Sequence, residues 1–302
     1  PGLSPEYKDH EQYELDLHDF LDEALPFLAQ WSHAPFEQDQ NWQDLLQKWQ
    51  KYPSFIFGFE LLIFAIKAKG NPILFDTPFT RGQTTIPING LVWMDTVDEM
   101  LEVAMKKAKE GLRCLKFKVG ALDHDSECRL IEKVRTAFPH ISLRLDANGG
   151  FNFDDALHKL KDFNTFQIHS LEQPIEAGNW EAMNEICFKS PIDIALDEEL
   201  IGVSNQKYPL LKSIKPKYII LKPSLLGGLS PCDEWISEAQ KLDIDWWATS
   251  ALEGNIGLLA IAEWASSYNL SLPQGLGTGA LYKENYPSSL ALEKDILRYK
   301  VN

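Results

Sequence analysis

Five charged residues, each at the end of an apolar run, divide the middle of this chain into nearly equal steps. They are Lys118, Asp146, Glu172, Asp197 and Lys222, separated by 28, 26, 25 and 25 residues. A strand, a helix and the two loops that join them take about that many residues. The spacing therefore predicts a repeating β/α unit in which each charge stands at the end of a parallel strand.

The sequence around these charges predicts eight strands over residues 86–280. Strand-like runs alternate with helix-like runs there, from IPINGLVW at residue 86 to LSLPQGL at residue 270. This alternation is typical of a parallel sheet with right-handed crossovers. Charges spread evenly over the strand ends favour a closed barrel, because an open sheet concentrates its site at one switch point.

The two flanks of this region lack the alternation. Residues 1–85 predict a partial, helical capping domain, with helices over about 4–31, 41–50 and 54–69 and a polar connector after them. Residues 281–302 contain no ninth unit and are expected to return to the cap. The chain begins with Pro1 instead of Met, so we expect further residues upstream.

Charge and cysteine content narrow the classes of partner. The 302 residues carry a formal net charge of −15, which argues against nucleic acid and anionic membrane surfaces. The four cysteines form no CxxC pair and are expected to be free thiols in a reducing compartment. No apolar run is long enough for a membrane span. We expect a cytoplasmic protein that acts on a small molecule, with its oligomeric state open.

Carboxylates on three successive strand ends predict a divalent-metal site. Asp146, Glu172 and Asp197 offer the hard oxygen ligands that Mg²⁺ prefers, and Mn²⁺ can substitute for it. One Asp after a strand is usually a helix N-cap, but capping does not explain three in a row. Glu198 is expected to support the ligands by hydrogen bonding. The seven histidines show no HxxxH or HxH spacing, and His169 is expected to face the helices as a structural residue.

Three lysines accompany the carboxylates. Lys116 and Lys118 lie two residues apart in one strand, so their side chains share a face. Such a pair is ordinarily a solvated strand face, but its neighbours in CLKFKV are apolar. The second and sixth strands of a barrel lie on opposite sides, so Lys222 would face Lys118 across the metal. Opposed amines beside a cation suit removal of a proton next to a carboxylate.

The order KxK, D, E, D and K at successive strand ends resembles the lysine–lysine, muconate-lactonizing-enzyme-like branch of the enolase superfamily. Members of that superfamily use a Lys or His base with Mg²⁺. Within it, the segments LRLDANGGF, LEQP, ALDEEL and LKPSLLGG most resemble the o-succinylbenzoate synthase family. SALEGNIGL and GLGTG, nearer the end of the chain, resemble that family too.

This resemblance implies a (β/α)7β TIM-like barrel with an N-terminal α+β capping domain, whose opening strands would precede Pro1. It implies a carbon–oxygen lyase of menaquinone biosynthesis. The reaction would be the Mg²⁺-dependent syn dehydration of 2-succinyl-6-hydroxy-2,4-cyclohexadiene-1-carboxylate to 2-succinylbenzoate. The implied metal ligands are Asp146, Glu172 and Asp197.

The resemblance also implies a role for each lysine. Lys118 would take the proton next to the substrate carboxylate and then deliver it to the leaving hydroxyl group. Lys116 would support the charge at Lys118 and at the bound carboxylate. Lys222 would cover the opposite face of the substrate and stabilise the negative charge that develops there.

Further candidates surround these residues. Arg144 and Asn148 flank Asp146 and are expected to support it. SALEGN after the seventh strand and GLGTG after the eighth offer backbone N–H groups for a second substrate carboxylate or for a phosphate. A helix cap and a tight turn are the structural alternatives. The candidate substrate-binding residues in these segments are Ser250, Gly254, Asn255, Gly277 and Thr278.

Other functions stay open at this point. An N-succinylamino acid racemase or a dipeptide epimerase of the same superfamily would use the two opposed lysines for two-base proton exchange. Dipeptide epimerases typically carry a DxD motif after the eighth strand, where this chain has GTGALY, which counts against them. A non-catalytic barrel, with charges that serve structure or metal storage, is the third interpretation.

Overall fold

The computed structural model describes residues 9–30, 39–279 and 282–301, and their architecture is α/β. The strands, in chain order, are β1 (Ile86–Pro87), β2 (Gly90–Val92), β3 (Cys114–Lys118), β4 (Ser142–Asp146), β5 (Ser170–Glu172), β6 (Ile194–Leu196), β7 (Tyr218–Leu221), β8 (Asp245–Ala248), β9 (Leu290–Glu293) and β10 (Ile296–Tyr299). Strands β2 to β8 form one parallel sheet in chain order, and β1, β10 and β9 form a small antiparallel sheet. The predicted fold class is confirmed.

Helices follow the barrel strands and also build the N-terminal part of the chain. They are α1 (His10–Gln30), α2 (Gln40–Trp49), α3 (Pro53–Lys67), α4 (Val97–Lys109), α5 (His124–Ala137), α6 (Phe153–Asn164), α7 (Trp180–Lys189), α8 (Lys207–Ile214), α9 (Pro223–Leu226), α10 (Leu229–Gln240) and α11 (Asn255–Ala265). Apolar residues of the barrel strands and of the helices that follow them share one continuous core. Within the described ranges, every helix is too short or too polar to cross a membrane.

The predicted eighth strand contributes only two residues to the closure of the sheet. Gln274 forms a parallel bridge with Ile88, and Gly275 forms one with Thr249 after β8. Pro273 precedes them and has no N–H to donate to a neighbouring strand, which explains why the predicted run at 270–276 is so short. These two bridges join the first and the last strand of the sheet, so the barrel is closed.

The first predicted strand, at 86–93, is divided between the two sheets. Ile86 and Pro87 pair with β10, whereas Gly90–Val92 pairs with β3 inside the barrel. The C-terminal residues form the β9–β10 hairpin, and Tyr299 packs edge-on against Phe79 in the connector after α3. The described tail therefore contacts both the connector and the first barrel residues. The predicted domain boundaries at 85/86 and 280/281 stay predictions.

The N-terminal helices pack around a core of their own that is rich in aromatic side chains. The first predicted helix is seen as α1, and it is continuous through Pro26, although proline in a helix interior usually breaks or kinks the helix. The rest of that prediction, at 4–8 and at Trp31, lies outside the described residues. Ser54 lies inside α3, because Pro53 takes the first helical position, and its hydroxyl group bonds the Tyr13 hydroxyl at 2.9 Å.

Glu60 of α3 fastens the N-terminal helices to the barrel. Its buried carboxylate accepts hydrogen bonds from the backbone N–H groups of Leu229 and Ser230, in the first turn of α10. A Cβ atom at Gly228 would lie 2.4 Å from a Glu60 oxygen, and Gly228 has a φ of +131°. Glycine is therefore required at this contact. Burial raises the pKa of Glu60 to about 7, against the lowering effect of the bonds from Ser230 and Leu229.

We expect Glu60→Gln to gain stability relative to the wild type as the pH rises from 5 to 8. Between the unfolded pKa of 4.5 and the folded value of about 7, the unfolded chain releases the Glu60 proton while the folded chain keeps it. The free energy of unfolding of the wild type therefore falls with rising pH in that window, by on the order of 3 kcal/mol. Glutamine removes this dependence because it does not titrate.

Urea unfolding of both proteins at pH 5, 6, 7 and 8 measures the difference. Glu102→Gln, at an exposed position on α4, is the matched control and should leave the pH dependence unchanged. A difference between wild type and Glu60→Gln that stays constant over these four pH values would show that Glu60 does not titrate in this window.

Candidate active site

The strand register brings the predicted charges together at one end of the barrel. Lys118 lies opposite Asp146 in the β3–β4 pair, and Asp146 lies opposite Glu172 in the β4–β5 pair. Asp197 directly follows β6 and Lys222 directly follows β7. Because the strands are parallel, all five stand at the carboxyl edge of the sheet. This is the edge where (β/α)-barrel enzymes place their catalytic groups.

Three lysines and three carboxylates form ion pairs there. The Lys116 ammonium group lies 2.8 Å from an Asp146 oxygen and 2.7 and 2.8 Å from the two Glu172 oxygens. Lys118 bonds the same Asp146 oxygen at 2.6 Å. Lys222 bonds Asp197. The three carboxylates are almost fully buried, at 0 to 2 % exposure, and such burial is tolerated because every charge has a partner of opposite sign.

The carboxylates differ in how many ammonium groups they face. Burial acts to raise the pKa of Asp146, but Lys116 and Lys118 outweigh it and hold that pKa well below its usual range. Burial raises the pKa of Glu172 well above its usual value, and the nearby Asp146 charge adds to this. Asp146 is therefore the firmly ionised member of the pair, because it meets a second lysine.

Two of the lysines are held in the protonated form. Burial acts to lower the pKa of Lys116, but the charges of Asp146 and Glu172 raise it above its usual value. The pKa of Lys222 is raised in the same way, since the charges of Asp197 and Glu172 exceed the effect of burial. Lys118 differs in its partners, because it bonds one carboxylate and the neutral amide oxygen of Asn148, at 2.6 Å.

Asn148 and Glu198 lie where the sequence predicted supporting groups. The backbone N–H of Asn148 donates to Asp146 Oδ1 at 3.0 Å, and its side-chain amide donates to Glu198 at 2.9 Å. Asn148 has a φ of +44°, a left-handed conformation that Asn tolerates better than most residues. Asn148 therefore links the carboxylates of Asp146 and Glu198 through hydrogen bonds from its backbone and its side chain. Burial raises the pKa of Glu198, and the charge of Asp197 adds to this effect.

Arg144 does not support Asp146 in the way we predicted. Its guanidinium group donates to the carbonyl of Pro273 at 2.7 Å and stacks 3.8 Å above the Trp247 ring, deeper in the barrel. The alternation along β4 explains this, because a residue two positions before Asp146 shares its face but lies lower. His169 is also inside the barrel instead of facing the helices, stacked on Tyr218 at 5.3 Å. Burial, followed by the Arg144 charge, lowers its pKa to about 4.

Gln173 and Glu199 organise the site and were missed by the sequence analysis. The Gln173 side-chain oxygen accepts the backbone N–H groups of Asp197 and Glu199, at 3.1 and 3.3 Å. Its amide group donates to Glu199 at 3.1 Å. Gln173 therefore holds the start of the turn that carries Asp197. The available signal was its position directly after Glu172 in LEQP, where a fully buried amide has to find partners.

The donor set of the site fits a hard divalent cation. Carboxylate oxygens from three neighbouring strand ends are the ligands that Mg²⁺ takes. The three flanking lysines add positive charge, which favours the binding of an anionic substrate beside the ion. The oxygens of the three carboxylates do not all lie within 4.8 Å of one another. Lys116 lies between two of them, and Lys222 bonds the third. Metal binding here requires the lysines to release some of these oxygens.

A cavity of about 560 Å³ adjoins the lysines. Lys116, Lys118 and Lys222 line it. The predicted substrate-binding residues Ser250, Gly277 and Thr278 lie on its wall as well.

Thr278 and Ser250, both on the cavity wall, differ in whether their hydroxyl groups have hydrogen-bond partners. The Thr278 hydroxyl is buried and has no hydrogen-bond partner within the described part of the chain. Ser250 donates to Glu253, which also accepts a bond from Ser224 after β7.

Gly254 and Asn255 do not line this cavity, contrary to our expectation. The Asn255 backbone N–H donates to the side chain of Asn285 at 2.9 Å, and the Asn255 amide donates to the Tyr286 carbonyl. The C-terminal segment therefore contacts the start of α11. The Asn255 N–H is engaged by this chain, so it is not available for a substrate carboxylate.

Comparison with known proteins decides the family. Residues 99–293 match the family model described as Enolase C-terminal domain-like. The o-succinylbenzoate synthase of Desulfotalea psychrophila is 41 % identical, over 98 % of this chain and 86 % of that protein. The chain belongs to the enolase superfamily. Its sequence is thus that of an enzyme of the o-succinylbenzoate synthase type, a lyase, as the motifs predicted.

Solved structures of this superfamily match the described fold. The crystal structure of MenC from Desulfotalea psychrophila LSv54 superposes with a TM-score of 0.81 at 39 % identity, covering 98 % of this chain and 87 % of that one. A dipeptide epimerase from Enterococcus faecalis V583 superposes with a TM-score of 0.77 at 19 % identity, over 92 % of this chain and 82 % of that one. The second likeness concerns the fold alone.

Proposed function

We propose that this enzyme is an o-succinylbenzoate synthase, which catalyses the Mg²⁺-dependent syn dehydration of 2-succinyl-6-hydroxy-2,4-cyclohexadiene-1-carboxylate in menaquinone biosynthesis, in the cytoplasm. The observation that supports it most is the meeting of three lysines with three buried carboxylates beside one cavity. The similarity to the Desulfotalea psychrophila synthase over nearly the whole chain supports it too.

Asp146, Glu172 and Asp197 would hold the ion in this proposal, and Mn²⁺ can take its place. When bound, the ion supplies positive charge that stabilises the negative charge developing on the substrate carboxylate. Gln173 keeps Asp197 at the strand end, and Asn148 ties Asp146 to Glu198, so the ligands are held by hydrogen bonds before any ion arrives.

Lys118 carries the proton in both halves of the reaction. As a free amine, its Nζ takes the proton from the ring carbon next to the carboxylate. The same ammonium group then gives that proton to the hydroxyl group on the neighbouring carbon, the C–O bond breaks, and water leaves while the ring becomes aromatic. A single base suffices because both groups leave from the same face of the ring.

Lys116 and Lys222 act by charge. Both have raised pKa values, so both are ammonium groups at neutral pH. Lys116 stands between Asp146 and Glu172, beside the position of the substrate carboxylate. Lys222 comes from the opposite side of the barrel, after β7, and faces the other side of the ring. The Thr278 hydroxyl has no hydrogen-bond partner among the described residues and lies on the cavity wall, where it would bond the succinyl chain.

Racemization of N-succinylamino acids or epimerization of dipeptides is the alternative. Those reactions would use Lys118 and Lys222 as two bases on opposite faces. A dipeptide brings an ammonium group, and the described residues after the eighth strand offer Gly277 and Thr278 to the cavity but no carboxylate. This observation favours dehydration over epimerization of dipeptides.

Metal removal tests the proposal directly. We expect treatment with EDTA to abolish conversion of the cyclohexadiene substrate to 2-succinylbenzoate, followed by the change in ultraviolet absorbance, and Mg²⁺ or Mn²⁺ to restore it. N-succinyl amino acids and a dipeptide such as L-Ala-L-Glu serve as parallel substrates. Full dehydration activity in the presence of EDTA would contradict the proposed metal dependence. Rapid racemization without dehydration would show that the enzyme is a racemase or epimerase instead.

A further inference from the structure

Outside the barrel mouth, four metal-ligating side chains meet on two neighbouring outer helices. His124 and Cys128 are one turn apart on α5, and His158 and Asp162 are one turn apart on α6. Residues four apart share a helix face, so each pair forms one side of the cluster. The ligand atoms of His124, His158 and Asp162 all lie within 4.8 Å of one another.

The distances within the cluster are close to those of a zinc site. Asp162 Oδ2 lies 2.9 Å from His124 Nε2 and 3.1 Å from His158 Nδ1, and Cys128 Sγ lies 3.6 Å from His124 Nε2. Tetrahedral Zn²⁺ with ordinary bond lengths sets neighbouring ligand atoms roughly 3.3–3.6 Å apart. His124, His158 and Asp162 therefore need only small outward movements to admit the ion between their ligand atoms. The Cys128 thiol contacts His124 but does not lie within 4.8 Å of all three of these atoms, so its side chain must also turn towards the ion.

We propose that His124, Cys128, His158 and Asp162 bind one Zn²⁺ ion that clamps α5 to α6. Two imidazoles, a thiolate and a carboxylate are the donors that Zn²⁺ takes, whereas Mg²⁺ prefers oxygen ligands alone. The thiol proton passes to solvent on binding, and the thiolate and the Asp162 carboxylate together balance the charge of the ion. Four protein ligands leave no open position, so the site is structural and not catalytic.

The position of the cluster fits such a clamp. The α5 helix follows β3, which ends at Lys118, and α6 follows β4, which ends at Asp146. His158 is 79 % exposed at its side chain, so an ion has free access from solvent, while His124 is largely buried against Phe163. A clamp here would stabilise the two helices that pack behind these strands without entering the barrel.

Co²⁺ binding to the full chain tests the site, because Co²⁺ replaces Zn²⁺ and reports its ligands. With excess Mg²⁺ present to occupy the oxygen ligands of the barrel, we expect one Co²⁺ per chain with a thiolate charge-transfer band and tetrahedral d–d bands, displaced by Zn²⁺. Cys128→Ser should lose the thiolate band. His158→Ala should weaken Zn²⁺ binding by at least the ~10–100-fold that loss of an outer-shell partner causes.

Matched variants keep the result specific. Cys187→Ser and His140→Ala change a free cysteine and an exposed histidine outside the cluster, so both should retain the bands and the affinity. Circular dichroism confirms that all four variants fold. Absence of a thiolate band in the wild type would overturn the proposal, as would a band that Cys128→Ser and His158→Ala leave unchanged.

Discussion

Lys118→Ala is expected to lower kcat for dehydration by about 10²–10⁴-fold or more while leaving the protein folded. In the proposed reaction Lys118 both removes the proton and returns it to the leaving group, so its loss stops both steps. Removal of this side chain leaves Asp146 paired with Lys116, at 2.8 Å. The buried carboxylate therefore keeps a partner, and the fold should tolerate the change.

Steady-state rates of dehydration with saturating Mg²⁺ measure this effect, and thermal unfolding checks the fold. Lys133→Ala, at an exposed position of α5, is the matched control and should keep full activity. A Lys118→Ala enzyme with near wild-type kcat would show that another group is the base, and Lys116 or Lys222 would then be the next candidate.

Lys222→Arg should retain part of the dehydration that Lys222→Ala loses. Lys222 is proposed to act through its positive charge, and arginine keeps that charge at any working pH. Both variants leave Asp197 in place, but only arginine offers it a cationic partner, and an unpaired buried carboxylate weakens the site further. We expect a loss of about 10–10³-fold in Lys222→Arg and a larger one in Lys222→Ala.

The same pair of variants separates the synthase from the racemase. Arginine cannot accept a proton, so racemization of an N-succinyl amino acid, if the enzyme accepts one, should vanish in both variants. α-Proton exchange in D₂O, followed by NMR, reports which lysine still works on each stereoface. Equal and complete loss of dehydration in both variants would contradict the electrostatic role of Lys222, unless reduced Mg²⁺ affinity accounts for it, which a Mg²⁺ titration of each variant resolves.

The strand-end charges were predictable because they depend on local periodicity. A parallel strand ends at the same edge as its neighbours, so the spacing of Lys118, Asp146, Glu172, Asp197 and Lys222 was enough to place all five at one barrel mouth. The resemblance to the enolase superfamily rests on the same residues and on the motifs around them.

Other features depend on contacts that no local pattern encodes. Asn285 covers the start of α11 because the C-terminal segment runs past it, so Gly254 and Asn255 face this segment and not the cavity. Glu60 reaches α10 across a long stretch of sequence. In each case a polar side chain forms a hydrogen bond with a residue distant in the sequence, and the residues next to it in the sequence do not indicate which partner it has.

The sequence by itself determined the barrel, the order of its strands and which side chains stand at their ends, because period and spacing are local properties. Only the tertiary structure decided that Lys116 lies between Asp146 and Glu172, that Arg144 stacks on Trp247 below them, and that α5 and α6 bring a histidine–cysteine pair against a histidine–aspartate pair. The physical reason is that side-chain partners across helices and strands are set by packing, which acts between residues distant in the chain.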